Sequence, residues 1–567
     1  MTLKASTCTE IPAETVRVAQ AAFVKGNAVM RMRDELGTIY TEDEFKDLFP
    51  TRGQPARSPA ILALVIVLQF AEGLTDRQAA DAVRSRIDWK YALGLELTDA
   101  GFDYSILSEF RGRLIAGQAE DRLLNAILKA FQTRGLLKAG GRQRTDSTHV
   151  LAAIRKLNRL ERVGETLRQA LNELSQLMPG WVKSIVPADW YPRYAHRFDS
   201  MHLPESPTAR EELLQRIGED GRFLLEQVYA RDTPVLIRSA HAVEILRRVW
   251  IQQYFIQNNG DGEGEGRGES ARIQARSSED QPPATKQIES PFDLEAHFAR
   301  HNDKEWIGYK VHLSETCDED SALHVITHVK TEIATQQDVE ATSSIHDELQ
   351  RQGLAPDRHL VDAGYVGADV MVEAKLKYHI DLIGPVTKAQ NVSWQAREKT
   401  GFDISRFKID WDAKQVTCPR GRTSMRWTEN SNDRTGNAVI HVAFSQADCG
   451  SCSARTLCTR HRTEGRSMQF RPRLQHEMLQ QARVHQNTEE FKKQYRPRAG
   501  IEGTISQGVR AFDLRYTRYI GLAKTSLQGV ATAAAINLHR FWDYVCGRRP
   551  IHQRISPFAA LAPLPPS

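Results

Sequence analysis

The sequence predicts an α/β core preceded by an N-terminal all-α domain and interrupted twice, by a helical insertion and by a mostly β, cysteine-containing insertion. Three observations carry this prediction. Apolar residues recur at helical spacing up to about residue 135, the period switches to strands followed by helices after residue 288, and four of the seven cysteines fall within 41 residues of a Trp- and Thr-rich stretch. At ~150 residues per domain the 567-residue chain has room for several domains. With 41% apolar and 26% charged residues it has the composition of a globular protein and not of a disordered one. Its net charge is only +5, from 76 basic and 71 acidic residues, so any nucleic-acid affinity must come from local clustering of basic side chains.

In the N-terminal region (1–135), Pro59 suits a first helical turn, and the run Ile61 to Phe70 is bracketed by Arg57 and Glu72. About ten residues is half the ~20 that span a bilayer, so a buried helix is expected and no membrane partner. The start, MTLKASTCTEIPAETVR, lacks the apolar core of a signal peptide, and the cysteines form no dense disulfide framework. A bacterial cytoplasm, at the nucleoid when bound to DNA, is the expected location, and clustered cysteines are read first as metal ligands. Thr75 to Gln78 resembles a capping box, after which Ala79, Val83, Ile87 and Tyr91 form one apolar stripe with Arg77, Arg84 and Arg86 off it. Two short helices across a turn read either as a DNA-reading helix-turn-helix or as packing in a helical bundle.

Residues 136–150 hold the first core strand, in GRQRTDSTHV. A helical insertion, 151–257, follows, with Leu157, Leu160, Leu167, Leu171, Leu174 and Leu177 at helical spacing until Pro179-Gly180. Residues 258–288 are Gly-rich, charged and nearly free of large apolar groups, which predicts a flexible linker. In 289–388, WIGYKVHLSE and LHVITHVKTEI read as adjacent strands, Asp338 to Gln352 as a helix, RHLVDAG as a buried strand ending in a turn, and IDLIGPV as another strand. The cysteine-containing insertion occupies 389–487, a helical part of the core 488–545, and a loose Pro-rich tail 546–567.

Metal-assisted phosphoryl chemistry needs converging carboxylates, and the context of three acids singles them out. Asp146 lies inside a half-buried strand and Asp362 directly follows Leu360-Val361, where an unpaired carboxylate is costly unless it binds a cation. Glu502 sits between Gly500 and Gly503, small residues that would let a nucleic-acid backbone approach. Residues 491–550 around it hold 11 Lys plus Arg and 3 Asp plus Glu, with Tyr495, Phe512, Tyr516, Tyr519 and Trp542 interleaved, a pattern that suits phosphates and unpaired bases. Lys310 and His312 share a strand face and could line a site or simply cover the sheet, whereas His149 points away from Asp146.

Tyr495-x2-Arg498-x3-Glu502 resembles the Y-x2-R-x3-E signature of DDE transposases from bacterial insertion sequences. The stretch RYIGLAKTSLQGVATAAAINLHRF resembles that family's C-terminal part, TDSTHV its first-aspartate strand, EWIGYKVHLSETC the strand that follows, and HLVDAGYV its second-aspartate strand. The resemblance implies an RNase H-like core in which Asp146, Asp362 and Glu502 hold two Mg²⁺ ions. It implies that Arg498 grips a phosphate, that Tyr495 contacts DNA, and that the N-terminal helices bind terminal repeats. The implied partners are double-stranded DNA, both transposon ends and target, and further copies of the chain in a synaptic complex. A signature lysine is expected seven residues after the glutamate, where Val509 stands; Arg510 and Lys524 are the alternative candidates to replace it. The alternatives to an active transposase are a catalytically silent DNA-binding repressor and an RNase H-like nuclease without strand transfer.

Cys418, Cys449, Cys452 and Cys458 form the cysteine cluster; CGSC has the two-residue spacing that lets both thiolates reach one tetrahedral ion. Structural Zn²⁺ is the first reading, free packed thiols and a redox CxxC the others.

Overall fold

The computed structural model describes residues 10–53, 56–198, 203–257, 272–301, 303–387, 393–432 and 436–547. The tail prediction falls almost wholly outside these.

The N-terminal helices form because their sequence closes them locally. Ser58 accepts a hydrogen bond from Ile61 N–H to start the helix Pro59–Ala71, and the Thr75–Gln78 capping box starts Asp76–Ser85. Pro59–Ala71 is buried on nearly every face, as its run of apolar residues requires. Among the described residues, no single helix is long and apolar enough to cross a membrane.

The central sheet contains β1 (Arg142–Leu151), β4 (His297–His301), β5 (Lys304–Thr316), β6 (Ile326–Ile333), β7 (Arg358–Leu360) and β8 (Asp381–Ile383), after two short strands introduced below. β1 runs antiparallel to β5, which runs antiparallel to β4 and β6; on its other edge β1 pairs parallel with β7, and β7 with β8. The helix Asp338–Arg351 leads from β6 to β7, and Ala368–Lys377 makes the crossover to β8. The last helix, Leu522–Val545, lies on β6 and on Pro59–Ala71. Its Asn537 is fully buried, donating to the Ile326 carbonyl at 2.8 Å and accepting from the Ile326 N–H at 2.9 Å. One hydrophobic core therefore runs from Val29 through the sheet to Trp542, so the N-terminal helices share the core of the sheet.

The helical insertion has its own apolar core, from Leu160 to Ile288. That core corrects the linker prediction. Within 258–288, residues 258–271 lie outside the described residues, but β3 (Arg272–Ala275) pairs antiparallel with β2 (Tyr254–Gln257), and Ile273 and Ile288 are buried. The two isoleucines pack into that core, and side chains of the insertion bond the stretch as well, Gln252 to the Lys286 carbonyl at 2.7 Å and Gln215 to the Ile273 carbonyl at 2.7 Å.

The cysteine-containing insertion is built from two small sheets, β9 (Lys408–Asp410) with β10 (Gln415–Thr417), and β11 (Arg426–Asn432), β12 (Ala438–Ala443) and β13 (Ser467–Phe470), around Phe407, Val416, Val442, Phe444 and Phe470. It ends earlier than the sequence suggested: the helix Arg473–His485 packs on Ala368–Lys377, and its Met478, Leu479 and Ala482 join the main core.

Candidate active site

Asp146 lies in the middle of β1, Asp362 in the turn after β7, and Glu502 in the first turn of the helix Gly500–Ala511. Parallel pairing of Arg144 with Leu360 brings the two aspartates side by side at the same end of the sheet. Each has one oxygen fixed by backbone: Asp146 Oδ1 accepts from Ser147 N–H at 2.8 Å, and Asp362 Oδ1 from Gly364 N–H at 2.7 Å. Their second oxygens face Arg498. Its Nη2 donates to Asp146 Oδ2 at 2.7 Å and stands 4.0 Å from Asp362 Oδ2, while Nη1 donates to Glu502 Oε1 at 3.0 Å. Three acids that are 140 to 356 positions apart in sequence thus meet on one guanidinium. Burial pushes the Asp146 carboxyl above its ordinary value against the pull of Arg498, with Asp362 and Asp338 adding to the rise.

A second charge cluster positions this one. Glu315, on β5, is completely buried. Its Oε1 meets Arg144 on β1, with Nε at 2.7 Å and Nη2 at 2.6 Å, and its Oε2 accepts from Thr504 Oγ1 at 2.6 Å and Arg540 Nη1 at 2.8 Å. Burial alone would raise its pKa; the Arg540 and Arg144 guanidiniums outweigh that and hold it below the ordinary carboxylate value. Arg144 Nη1 also donates to the Pro497 carbonyl at 2.5 Å, which fixes the turn that carries Arg498.

Gly500 is explained by the same guanidinium: a Cβ there would lie 2.0 Å from Arg144 Nη1. The space expected to admit a nucleic-acid backbone is filled by protein. At Gly503, by contrast, a Cβ would meet nothing within 4 Å.

Tyr495 closes the short helix Glu489–Tyr495, separated from the glutamate helix by the 3₁₀ turn Arg496–Ala499. Its ring stacks on Phe491 at 5.3 Å, and it packs with Phe491, Cys317, Leu360 and Ile383. Val509 packs against the main core, while Arg510 and Lys524 are exposed and form no ion pair among the described residues. Eight residues put Arg510 about 12 Å along the helix from Glu502, away from the first turn where Arg498 and the acids meet. Of the N-terminal arginines, Arg86 pairs with Glu72 and Asp88, and Arg84 with Asp81, leaving Arg77 beside Tyr104 on the outer face. Lys310 donates to Asp338 Oδ1 at 2.7 Å and to the Gln336 carbonyl at 2.8 Å, and His312 Nδ1 and the Tyr365 hydroxyl are 2.6 Å apart. The His149 ring packs tilted against that of Trp306, with 5.4 Å between centroids.

Asp338 is a fourth acid that sequence reasoning passed over: its Oδ2 would lie 3.1 Å from a Cβ at Gly364, beside Asp362. At the head of a helix it reads as an ordinary N-terminal acid, and only the tertiary fold brings it here.

Cys418, Cys449, Cys452 and Cys458 line one small cavity with Phe407 and Phe444. Two sulfurs accept backbone hydrogen bonds at 3.4 Å, Cys418 Sγ from Arg422 N–H and Cys449 Sγ from Arg466 N–H. Burial pushes the Cys458 thiol up to about 11, with the other cysteines adding. As the side chains stand, among the described residues no group of three or more His, Cys, Asp or Glu has the spacing of an assembled metal site.

A mixed α/β core thus gathers three carboxylates around one guanidinium, with a helical region packed on its last helix. Two family models match parts of this chain. Residues 417–542 match the family model "Transposase DDE domain", and residues 20–113 match "Transposase domain (DUF772)". The first match takes in the four clustered cysteines, Tyr495, Arg498 and Glu502 and begins after both aspartates; the second covers most of the N-terminal helices. No curated protein and no solved structure matches the chain. Both matches are to transposase families and support a DDE transposase of an insertion sequence, a class of enzyme that acts on DNA and whose DDE domain generally uses divalent metal.

Gly500→Ala forces Arg144 off Glu315 and Pro497 and is expected to destabilise the protein by about 1–3 kcal/mol. Gly503→Ala, with open space around it, is expected to leave stability unchanged or raise it by up to about 1 kcal/mol. Urea unfolding midpoints of the two variants check this; equal effects would show that the approach of Arg144 does not constrain Gly500.

Proposed function

We propose that this transposase cuts phosphodiesters at the ends of its own element and joins the freed 3′ hydroxyls to target DNA, with Asp146, Asp362 and Glu502 as catalytic residues in an RNase H-like core. The observation that carries the reading is the convergence of these three acids, from a strand, a turn and a helix, on the single guanidinium of Arg498. The antiparallel β1, β5 and β6 followed by the parallel β7 and β8 supports the RNase H-like assignment.

The donor set suits Mg²⁺ in kind, since three carboxylates supply hard oxygens around a point that already holds positive charge. Asp146, Asp362 and Glu502 would hold two such ions, which when bound supply activation of the attacking oxygen and stabilisation of the leaving 3′ oxygen. The chain's own contributions are positional. The backbone N–H groups of Ser147 and Gly364 orient one oxygen of each aspartate, so that the other, which here faces Arg498, points toward the place a cation would take. Exposed Lys493, Arg496, Arg510 and Lys524 neutralise phosphates along the DNA, and Arg498 and Tyr495 meet it at the cut end. The outward face of Asp76–Ser85, with Arg77, Gln78 and Ser85, supports binding of the terminal repeats by the N-terminal helices, and two ends held together require self-association in a synaptic complex.

For the four cysteines we propose a structural Zn²⁺ site. Their shared cavity and the N–H···S bonds at Cys418 and Cys449 suit thiolates, and a bound ion would deprotonate the buried Cys458.

Asp362→Asn is expected to reduce Mg²⁺-dependent cleavage of end-containing DNA by at least about a hundredfold while leaving DNA binding and thermal stability near the wild-type values. Cleavage at the wild-type rate would refute the assignment. Protein purified without chelator is expected to carry about one equivalent of Zn²⁺, lost in Cys449→Ser; less than about half an equivalent would count against the four-cysteine site.

A further inference from the structure

Arg498 stands where a catalytic cation belongs. Its guanidinium touches Asp146 and Glu502 and faces Asp362, so one positive charge is shared by three negative ones. Two features mark this as one of two states for the side chain. Its backbone is held by the bond from Arg144 to Pro497, so the side chain can move without the turn moving. Its Nε is buried and has no hydrogen-bond partner among the described residues, so the guanidinium uses only its two terminal nitrogens here. A buried unmet donor is costly, and the planar fork of an arginine is satisfied by a phosphate that takes Nε and Nη together.

We propose that Arg498 is a removable stand-in for the metal: in the DNA-free protein it neutralises the three carboxylates, and it leaves them when a DNA phosphate draws it away. The inference rests on the reading of Asp146, Asp362 and Glu502 as metal ligands. Two divalent ions and a guanidinium cannot share this space, because like charges so close repel by several kcal/mol at protein-like dielectric. Metal binding and engagement of phosphate by Arg498 are therefore coupled, and the coupling is reciprocal: DNA raises metal affinity as much as metal raises DNA affinity. The consequence is that the carboxylates are kept from assembling a hydrolytic centre until a phosphate is in place. The adjoining Arg144 takes no part in this exchange, since its carboxylate partner Glu315 is completely buried.

The test is Mn²⁺ binding to the full chain without DNA, followed by the loss of the free Mn²⁺ electron paramagnetic resonance signal, in wild type, Arg498→Ala and Arg498→Gln. The glutamine variant keeps most of the side-chain bulk should the alanine variant fold poorly, and thermal melts confirm that the variants compared are folded. Both variants are expected to bind Mn²⁺ about tenfold or more tightly than wild type, and adding Asp146→Asn to either is expected to abolish the gain. Mn²⁺ affinity in both variants equal to or weaker than wild type overturns the stand-in role while leaving the carboxylate reading intact. Tighter binding that survives Asp146→Asn overturns the carboxylate reading itself.

Discussion

The fully buried carboxylate of Glu315 is the constraint on which the rest of the site depends. Removing a carboxylate from water costs several kcal/mol, and that cost is offset only when every lone pair is satisfied at good geometry. Here the satisfying groups come from three elements: Arg144 from β1, Thr504 from the helix that carries Glu502, and Arg540 from the last helix. Glu315 can be buried only if all three are docked in one arrangement. Hydrophobic packing alone would tolerate a helix sliding along the sheet, whereas this cluster fixes its register. Through Pro497 the same cluster fixes the turn that presents Arg498.

The last helix extends this constraint to the N-terminal region. It offers Arg540 to Glu315 on one side, clamps β6 through Asn537, and packs against Pro59–Ala71, where His539 bonds the Ala71 carbonyl at 2.9 Å. Arg518, just before it, lies over the Phe70 ring and donates to the Leu74 carbonyl at 3.1 Å. The helices that match the transposase domain and the sheet that carries the acids are thus parts of one packed body.

Much of this was legible in the sequence where the signal is local. Alternating residues mark β5 and β6, Thr75 and Gln78 mark a helix start, and Asp362 follows a short apolar run. The acids of the site were nameable because each sits at an element end or in a half-buried strand. What stayed hidden depends on pairing across long separations. Glu315 in HLSETC looks like any polar strand residue until the register places Arg144 opposite it. Gly500 reads as an opening for DNA until the guanidinium filling that space is known. Arg498 bonds Asp146 across 352 positions, which no periodicity reports. The prediction of a linker through residue 288 failed because composition averages over Ile273 and Ile288, whose burial orders their neighbours.

The central claim is that a buried charge cluster, distinct from the site, assembles the site. Hydrogen–deuterium exchange on Glu315→Gln tests it most directly. A neutral amide leaves two guanidiniums incompletely paired, so amides of 496–511 are predicted to exchange about tenfold or more faster than in wild type, while the helix Pro59–Ala71 keeps its protection. Unchanged protection across 496–511 in the variant would contradict the account.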